Sequence, residues 1–136
     1  MPALNFQKHF PPLIRAGSKV FTLRALRKDK RDAQTGQPLY MFTGQRHKHC
    51  EKFAEKPCRF AMTVKLGWRS VDIPSIGSIK TTSQLETLAR LDGFQSYEEF
   101  CQFHEIKIST GTKLLRLISW ITRDELAARL ADTQPK

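Results

Sequence analysis

Apolar residues recur along this chain with two periods, every second residue in some segments and every third or fourth in others. Alternation over about four to eight residues is typical of strands, whereas the longer period is typical of amphipathic helices. The alternating segments predict strands over residues 3–6, 19–24, 38–43, 58–66, 71–73, 78–80 and 113–120. The longer period predicts helices over residues 9–16, 83–91 and 122–130, and a further helix that begins at Ser96.

These elements contain no internal repeat, no low-complexity tract and no regular alternation of strand and helix. Short strands with a few short helices favour an α+β fold, which we predict to be a small mixed β-barrel with flanking short helices. A chain of 136 residues, 40% of them apolar, is long enough for one domain with its own core. We therefore predict one domain over residues 1–136, with its core at about 3–121 and a C-terminal helix at 122–131.

Basic residues are concentrated in the first half of the chain. Residues 1–65 hold fourteen Lys and Arg against four Asp and Glu, which accounts for the whole net charge of +10. Residues 66–136 hold nine of each kind and are neutral. A folded protein with this bias carries a one-sided positive field, which attracts polyanions such as nucleic acids.

The composition also bears on where the protein acts. No segment approaches the roughly 20 apolar residues of a membrane-spanning helix, so we expect no membrane partner. Residues 1–6 lack the basic and apolar regions of a secretory signal. Three cysteines, an odd number in a chain with an adequate core, favour free thiols in a reducing, cytoplasmic setting. The oligomeric state stays open.

Histidine and cysteine residues gather in one part of the chain. Four of them are ligand types that Zn²⁺ accepts, namely His47, His49, Cys50 and Cys58. Their spacing matches neither a Cys-x-x-Cys nor a His-x₃-His pair, so we predict no metal site and no cofactor. The histidines leave a ribonuclease open as an alternative, with His47 and His49 as its acid–base groups.

Two predicted loops, residues 25–37 and 44–50, are rich in cations. Arginine can bind phosphate through two parallel hydrogen bonds, and exposed aromatic rings such as Tyr40 can stack on unpaired bases. The residues expected to contact RNA are Arg24, Arg27, Lys28, Lys30, Arg31, Tyr40, Gln45, Arg46 and Lys48. Phe100 and Phe103, which are at helical spacing, are expected to lie in the core instead.

Three segments, taken together, resemble the ASCH family. They are residues 6–24, with a helix ending in Gly before a Lys-x-x-Thr-x-Arg pattern, residues 39–46, and residues 89–100, with Asp-Gly-Phe before a helix. The resemblance covers roughly residues 3–121. It implies a PUA-like β-barrel with a cleft beside the first helix, and it implies that the cleft binds RNA or a nucleobase-containing ligand.

Some small members of that family are amidohydrolases that remove the acyl group from N4-acetylcytidine with a Lys, a Thr and an acidic residue. The matching positions are Lys19, Thr22 and Asp92, and Asp92 is shorter than the Glu of those enzymes. On a regular strand Lys19 and Thr22 face opposite sides, so they meet only if Lys19 lies in the turn before the strand. An amidohydrolase is thus a candidate if that turn exists. It stands beside RNA binding and the ribonuclease, and an inhibitor or adaptor with a basic face is a further alternative.

Overall fold

The computed structural model describes residues 3–44, 50–107 and 111–131, which form eight strands and four helices. The strands are β1 (Ala3–Phe6), β2 (Phe21–Arg24), β3 (Pro38–Thr43), β4 (Glu51–Pro57), β5 (Phe60–Gly67), β6 (Ser70–Ile73), β7 (Gly77–Ile79) and β8 (Lys113–Ser119). The helices are α1 (Phe10–Arg15), α2 (Thr82–Leu91), α3 (Tyr97–Phe103) and α4 (Arg123–Ala131). None of these helices is long and apolar enough to cross a membrane. The prediction of an α+β fold is confirmed.

The strands form two hydrogen-bonded sheets. In the three-stranded sheet, of order β1-β3-β4, β1 runs parallel to β3 and β4 runs antiparallel to it. The five-stranded sheet has the order β2-β8-β5-β6-β7, and all its neighbours are antiparallel. β8 lies between β2 and β5, so Ser119 is opposite both Phe21 and Phe60. The described residues show two sheets, and their closure into a barrel stays a prediction.

One face of the five-stranded sheet supplies much of the hydrophobic core. Successive side chains of a strand point to opposite faces, so Phe21 and Leu23 of β2 share a face with Leu115 and Leu117 of β8. All four side chains are buried, and full burial of one such side chain stabilises the fold by about 1.5–3 kcal/mol. The same alternation sends Thr22 to the other face of β2, away from this core.

Two helices begin with the capping patterns that the sequence predicts. At the start of α3, Oγ of Ser96 accepts a hydrogen bond from the N–H of Glu99. Before α4, Oγ1 of Thr122 accepts from the N–H of Glu125, and Oε1 of Glu125 accepts from the N–H of Thr122. This reciprocal pair is a capping box. Caps of this kind contribute about 1 kcal/mol each to stability, which fixes where α3 and α4 begin.

Among the described residues, strand β4 is the element that the sequence did not predict. The pattern assigned residues 51–57 to no strand or helix, whereas Glu51–Pro57 pairs with β3. A register shift makes Phe53 the extra residue of a β-bulge, which breaks the alternation that would have marked a strand. β4 is also an edge strand, where charged residues are common, and its Glu-Lys-rich sequence looks like a loop.

Candidate functional site

Lys19 lies in the short link between α1 and β2, and main-chain hydrogen bonds hold this link in place. The N–H of Lys19 donates to the carbonyl oxygen of Leu13 in α1 at 3.1 Å. The next residue, Val20, donates to the carbonyl oxygen of Leu91 at the end of α2 at 2.8 Å. Lys19 is thus outside β2 and beside the end of α2, so its side chain reaches Asp92, the residue that follows α2.

Lys19 and Asp92 form a buried ion pair. The ammonium Nζ lies 2.7 Å from Oδ1 of Asp92 and 2.5 Å from the main-chain oxygen of the same residue. Both side chains are only 2% exposed. The short Asp side chain suffices because Asp92 caps the C-terminus of α2 and offers its carbonyl as well as its carboxylate. Removal of one partner from a buried pair of this kind typically costs about 3–5 kcal/mol.

The second carboxylate oxygen of Asp92 faces His104, which the sequence reasoning missed. Nε2 of His104 lies 3.1 Å from Oδ2 of Asp92, and the imidazole is buried. An ionised carboxylate only accepts hydrogen bonds, so beside an ionised Asp92 the Nε2 atom carries the hydrogen. His104 is the C-cap of α3 and follows Phe100 by four residues. This spacing puts both on one helix face, which was the available signal that His104 points inward.

The electrostatics of the site favour a lysine that loses its proton more readily than a surface lysine. Burial lowers the pKa of Lys19 below its ordinary value, and the Asp92 carboxylate opposes that shift. The positive charge of Arg24 lowers the pKa of Lys19 further. A neutral amine can act as a base, whereas an ammonium can only donate hydrogen bonds. The lowered pKa makes the neutral amine easier to reach at Lys19 than at a surface lysine.

Arg24 connects the two sheets beside this ion pair. Its Nε donates to Oγ1 of Thr22 at 3.2 Å, and its Nη2 donates to the carbonyl oxygen of Asn5 in β1 at 2.8 Å. The guanidinium carbon lies 4.8 Å from the centre of the Phe6 ring, within the range of a cation–π contact. The Thr22 hydroxyl is buried, and its oxygen already accepts one charge-assisted hydrogen bond.

These polar groups line one cavity together with aromatic rings. The cavity has a volume of about 100 Å³, and a cavity of roughly 150 Å³ is known to hold benzene, so there is room for part of a single ring. Its polar lining is Asn5, Gln7, Lys19, Thr22, Arg24, Asp92 and His104, and its apolar lining is Phe6, Phe10, Leu23, Phe94 and Phe103. The structure thus brings together Lys19, Thr22 and Asp92, the three residues that the resemblance groups.

Phe103 lies at this cavity and not in the core, so the prediction for this residue is wrong. Its side chain is 48% exposed, whereas Phe100, three residues earlier on α3, is fully buried as predicted. Phe103 is the last residue of α3, and its ring packs against Phe94 with the ring centres 5.0 Å apart. Helical spacing alone cannot show that Phe100 is buried and Phe103 is exposed, because the core ends before the last residue of α3.

The basic loop that follows β2 carries an ion-paired arginine and three further cations that are exposed. Arg27 donates to both carboxylate oxygens of Asp29, from Nε at 3.0 Å and from Nη2 at 2.8 Å. The hydrogen bond from Arg27 lowers the pKa of Asp29 to about 2. The other predicted RNA contacts of this loop are exposed, namely Lys28, Lys30 and Arg31. Since Arg27 already has a carboxylate partner, these three are better placed than Arg27 to meet a phosphate.

The remaining predicted RNA contacts lie away from the cavity or cannot be placed. Tyr40 is half-buried on β3, and Nζ of Lys52 in β4 lies 5.1 Å from the centre of its ring. Tyr40 is not part of the cavity lining. Three further predicted contacts lie outside the described residues, namely Gln45, Arg46 and Lys48. Of the predicted RNA contacts that the structure describes, it therefore joins only Arg24 to the cavity.

Of the four residues whose side chains could bind Zn²⁺, the structure describes Cys50 and Cys58. Among residues 3–44, 50–107 and 111–131, no group of three or more His, Cys, Asp or Glu is arranged to hold a metal ion. Cys50 is exposed and Cys58 is buried, and both are free thiols. His47 and His49 lie outside the described residues, so neither a metal ligand nor an acid–base role can be assigned to them from the geometry.

Chemically, the site presents hydrogen-bond donors between aromatic walls. Lysine and arginine carry donors and no acceptors, and the Asp92 carboxylate is engaged by Lys19 and His104. A small ring with acceptor atoms suits such a pocket, since pockets of this kind combine apolar walls with a few placed polar groups. No protein-family model, curated protein or solved structure is significantly similar to this chain.

Proposed function

We propose that this protein binds RNA or a nucleotide-like ligand, and that the edge of one nucleobase enters the cavity around Lys19 and Asp92. A single observation carries the proposal: a buried Lys19–Asp92–His104 cluster lines an aromatic-walled cavity in a chain of net charge +10. Lysine and aspartate are seldom fully buried, and where they are they are paired, as Lys19 and Asp92 are here. Perturbed ionisable groups in a cleft are typical of functional sites.

The aromatic walls support a nucleobase as the ligand. The rings of Phe10 and Phe94 meet edge-on with their centres 5.8 Å apart. The ring of Phe103 packs against Phe94 at the cavity. Stacking of a base on an aromatic side chain contributes about 1–3 kcal/mol per base. Phe103 keeps about half of its surface exposed, so its ring is available to a base that enters beside it.

The charge distribution supports a phosphate-bearing ligand. Arg24 lines the cavity, and the chain continues directly from it into the loop that carries Lys28, Lys30 and Arg31. Contacts between such cations and phosphates supply affinity without base preference, and each contact releases counterions. In this proposal the loop supplies electrostatic affinity and the cavity supplies selectivity for the base.

We further propose that the two sheets belong to a PUA-like barrel of the ASCH type. The support is the sequence resemblance, together with the position of Lys19 in the turn before β2 and of Asp92 directly after α2. Arg24 of the five-stranded sheet also bonds to Asn5 of the three-stranded sheet, as expected where two sheets curve towards each other.

A titration of labelled single-stranded RNA, followed by fluorescence anisotropy, tests the cavity. The cavity variants are Phe103→Ala and Lys19→Met, and Lys65→Met, an exposed lysine of β5 outside the cavity, is the matched control. Loss of a stacked base or a buried donor should raise Kd about tenfold, with the control within about twofold. Circular dichroism establishes that each variant is folded. Equal affinity in all the variants overturns the cavity as the site, and no binding by the wild type overturns the proposal.

The salt dependence of the same binding tests the basic loop. Each phosphate contact to a single strand contributes roughly 0.7 to the slope of log K against log salt. Replacement of Lys28, Lys30 and Arg31 by Ala should therefore lower the slope by about 2. Arg27→Ala is the matched control, since Arg27 is paired with Asp29, and its slope should stay close to that of the wild type. A triple variant with an unchanged slope would show that the loop does not touch the phosphates.

A second candidate function is hydrolysis of an acylated nucleoside, and it is favoured by the presence of Lys19 and Thr22 in one cavity. The neutral amine of Lys19 would take the proton of the Thr22 hydroxyl while Oγ1 attacks the acyl carbon. The C–N bond then breaks, the proton passes to the leaving nitrogen, and the acyl group stays on Thr22 as an ester. Water hydrolyses this ester, with Lys19 taking its proton and returning it to Oγ1.

Release of cytidine from N4-acetylcytidine, measured by chromatography, tests this second function. Thr22→Val removes the hydroxyl and keeps the shape of the side chain, whereas Thr22→Ser keeps the hydroxyl. We expect turnover to disappear in Thr22→Val and in Lys19→Met, and to persist in Thr22→Ser. A wild-type protein without turnover excludes the hydrolase and leaves the RNA-binding proposal untouched.

A further inference from the structure

A second, cationic groove lies beside the cavity. Its lining comes from α1 and the residues before it, and from the adjoining ends of β3 and β4, namely Lys8, Pro11, Arg15, Thr43, Glu51 and Phe53. We call it the Lys8–Arg15 groove, and its volume is about 280 Å³. A cavity of roughly 150 Å³ holds benzene, so this groove has room for a phosphate group and part of the ribose beside it.

The ring of Phe6 stands between this groove and the cavity. Phe6 lines the cavity, and its ring meets that of Phe53, which lines the groove, edge-on with the ring centres 5.9 Å apart. Gln7 lines the cavity, whereas the next residue, Lys8, lines the groove. The two sites are thus one aromatic layer apart, which is on the scale of a single nucleotide.

The two cations of the groove have their hydrogen-bond donors available. Lys8 and Arg15 are exposed. Within residues 3–44, 50–107 and 111–131, neither forms an ion pair or a side-chain hydrogen bond. Arg27, by contrast, donates to both carboxylate oxygens of Asp29. A ligand in the groove therefore meets cations that the described part of the chain does not already engage.

Arg15 is ordered by an aromatic ring and not by an acceptor. It is the last residue of α1, and its guanidinium carbon lies 5.8 Å from the centre of the Phe53 ring. This distance is within the range of a cation–π contact. Because such a contact uses no hydrogen-bond acceptor, the N–H groups of Arg15 stay free for the two parallel hydrogen bonds that arginine makes with phosphate.

The charge of the groove favours an anion. Its lining holds two cations against one carboxylate, that of Glu51. The groove beside α2 and α3, which we call the neutral groove, differs in this respect, since it balances Arg69 and Lys80 with Glu86 and Glu98. Opposite charges at short range attract, so an excess of cations in a groove suits a phosphate better than a balanced lining does.

We propose that the Lys8–Arg15 groove is a phosphate subsite, which binds the phosphate next to the nucleotide whose base enters the cavity. This inference rests on the proposed function, and it adds a backbone contact separate from the loop that carries Lys28, Lys30 and Arg31. Phosphate contacts fix the register of a nucleic-acid strand without selecting its sequence. The groove thus holds the strand in place while the cavity selects the base.

Fluorescence anisotropy with a labelled single-stranded RNA tests the subsite. The double variant Lys8→Gln with Arg15→Gln removes two charges from the groove, and Arg69→Gln with Lys80→Gln removes the same two charges from the neutral groove. Loss of the contacts to one phosphate should raise Kd about tenfold and lower the salt slope by about 0.7. The control should stay within about threefold, because salt screens exposed charges that do not touch the ligand. Thermal melting establishes that each variant is folded.

Replacement of Glu51 tests the groove in the opposite direction. Glu51→Gln removes the carboxylate that repels a phosphate, so Kd should fall about threefold. Glu98→Gln makes the same change at an exposed glutamate of the neutral groove, and its Kd should stay close to that of the wild type. A subsite for phosphate should also give the same ratios of variant to wild type with oligouridine and with oligoadenosine.

The outcomes separate the subsite from a general effect of charge. Equal losses of affinity in the two double variants would show that only the overall charge matters, and they overturn the subsite. A loss confined to one of the two RNA sequences assigns the groove to a base and overturns the phosphate assignment. Unchanged affinity in Lys8→Gln with Arg15→Gln overturns the subsite while RNA binding itself stands. A wild-type protein that binds neither RNA overturns the proposed function together with this inference.

Discussion

A Cβ added to Gly93 would lie 2.8 Å from Cε1 of Phe10, closer than such atoms approach one another. It would also lie 3.1 Å from Cδ of Lys19. Gly93 has a φ of +93°, which favours glycine, so both space and backbone require it. We expect Gly93→Ala to lower the free energy of unfolding by about 2–4 kcal/mol, because the buried Phe10 ring must shift and the backbone conformation disfavours alanine. Urea denaturation measures this loss.

Gly36 provides the control for that substitution. Its φ is +95°, but a Cβ there would meet no atom within 4 Å. Gly36→Ala therefore reports the backbone strain alone, which is about 1 kcal/mol. If both variants lost the same free energy of unfolding, the close approach of Gly93 to Phe10 and Lys19 would contribute nothing to stability.

The buried Lys19 should leave a signature in the pH dependence of stability. Burial lowers its pKa in the folded protein below its ordinary value of 10.5. Between the lowered pKa and 10.5 the unfolded chain holds more of this proton than the folded protein, so this group makes stability rise with pH there. Thermal or urea unfolding from neutral pH towards 10.5 should show wild type gaining stability relative to Lys19→Met. A difference that stays constant over this range would contradict the lowered pKa.

Most elements of the fold were predictable because their sequences carry one clear period. α2 and β8 are examples, since each buries a regular stripe of apolar residues that the sequence displays. β4 was not predictable, because the bulge at Phe53 interrupts its alternation and its charged residues suit an exposed edge. Pairing with β3, a tertiary contact, creates this strand despite its composition.

The candidate site was predictable only in part. Lys19, Thr22 and Asp92 were found through a resemblance and not through their spacing, since 73 positions separate Lys19 from Asp92. His104 carries no motif, and its role depends on where α3 ends relative to α2. The exposure of Phe103 likewise depends on where the core stops. The position of His104 and the exposure of Phe103 depend on how the helices pack. The periodicity of the sequence does not predict that packing.

The three cysteines should differ sharply in reactivity. Cys50 is exposed, whereas Cys58 and Cys101 are buried, and burial raises the pKa of both buried thiols. Because the thiolate is the reactive form, we expect a thiol reagent at pH 8 to label one thiol quickly and the other two only on unfolding. Cys50→Ser should abolish the fast phase. Fast labelling of two or three thiols in the folded wild type would contradict the burial.

Phe100 and Phe103 lie three residues apart on the same helix. Replacement of each by Ala therefore distinguishes a core residue from a residue of the proposed ligand-binding surface. Phe100 is fully buried, and its truncation in Phe100→Ala should cost about 3–5 kcal/mol of unfolding free energy. Phe103 is 48% exposed at the end of α3, so Phe103→Ala should cost about 1 kcal/mol. Chemical denaturation of both variants measures the difference. If Phe103→Ala were as unstable as Phe100→Ala, Phe103 would be a core residue, and its loss of RNA affinity could be explained by unfolding. If it is nearly as stable as the wild type and still binds RNA weakly, its ring acts on the ligand directly.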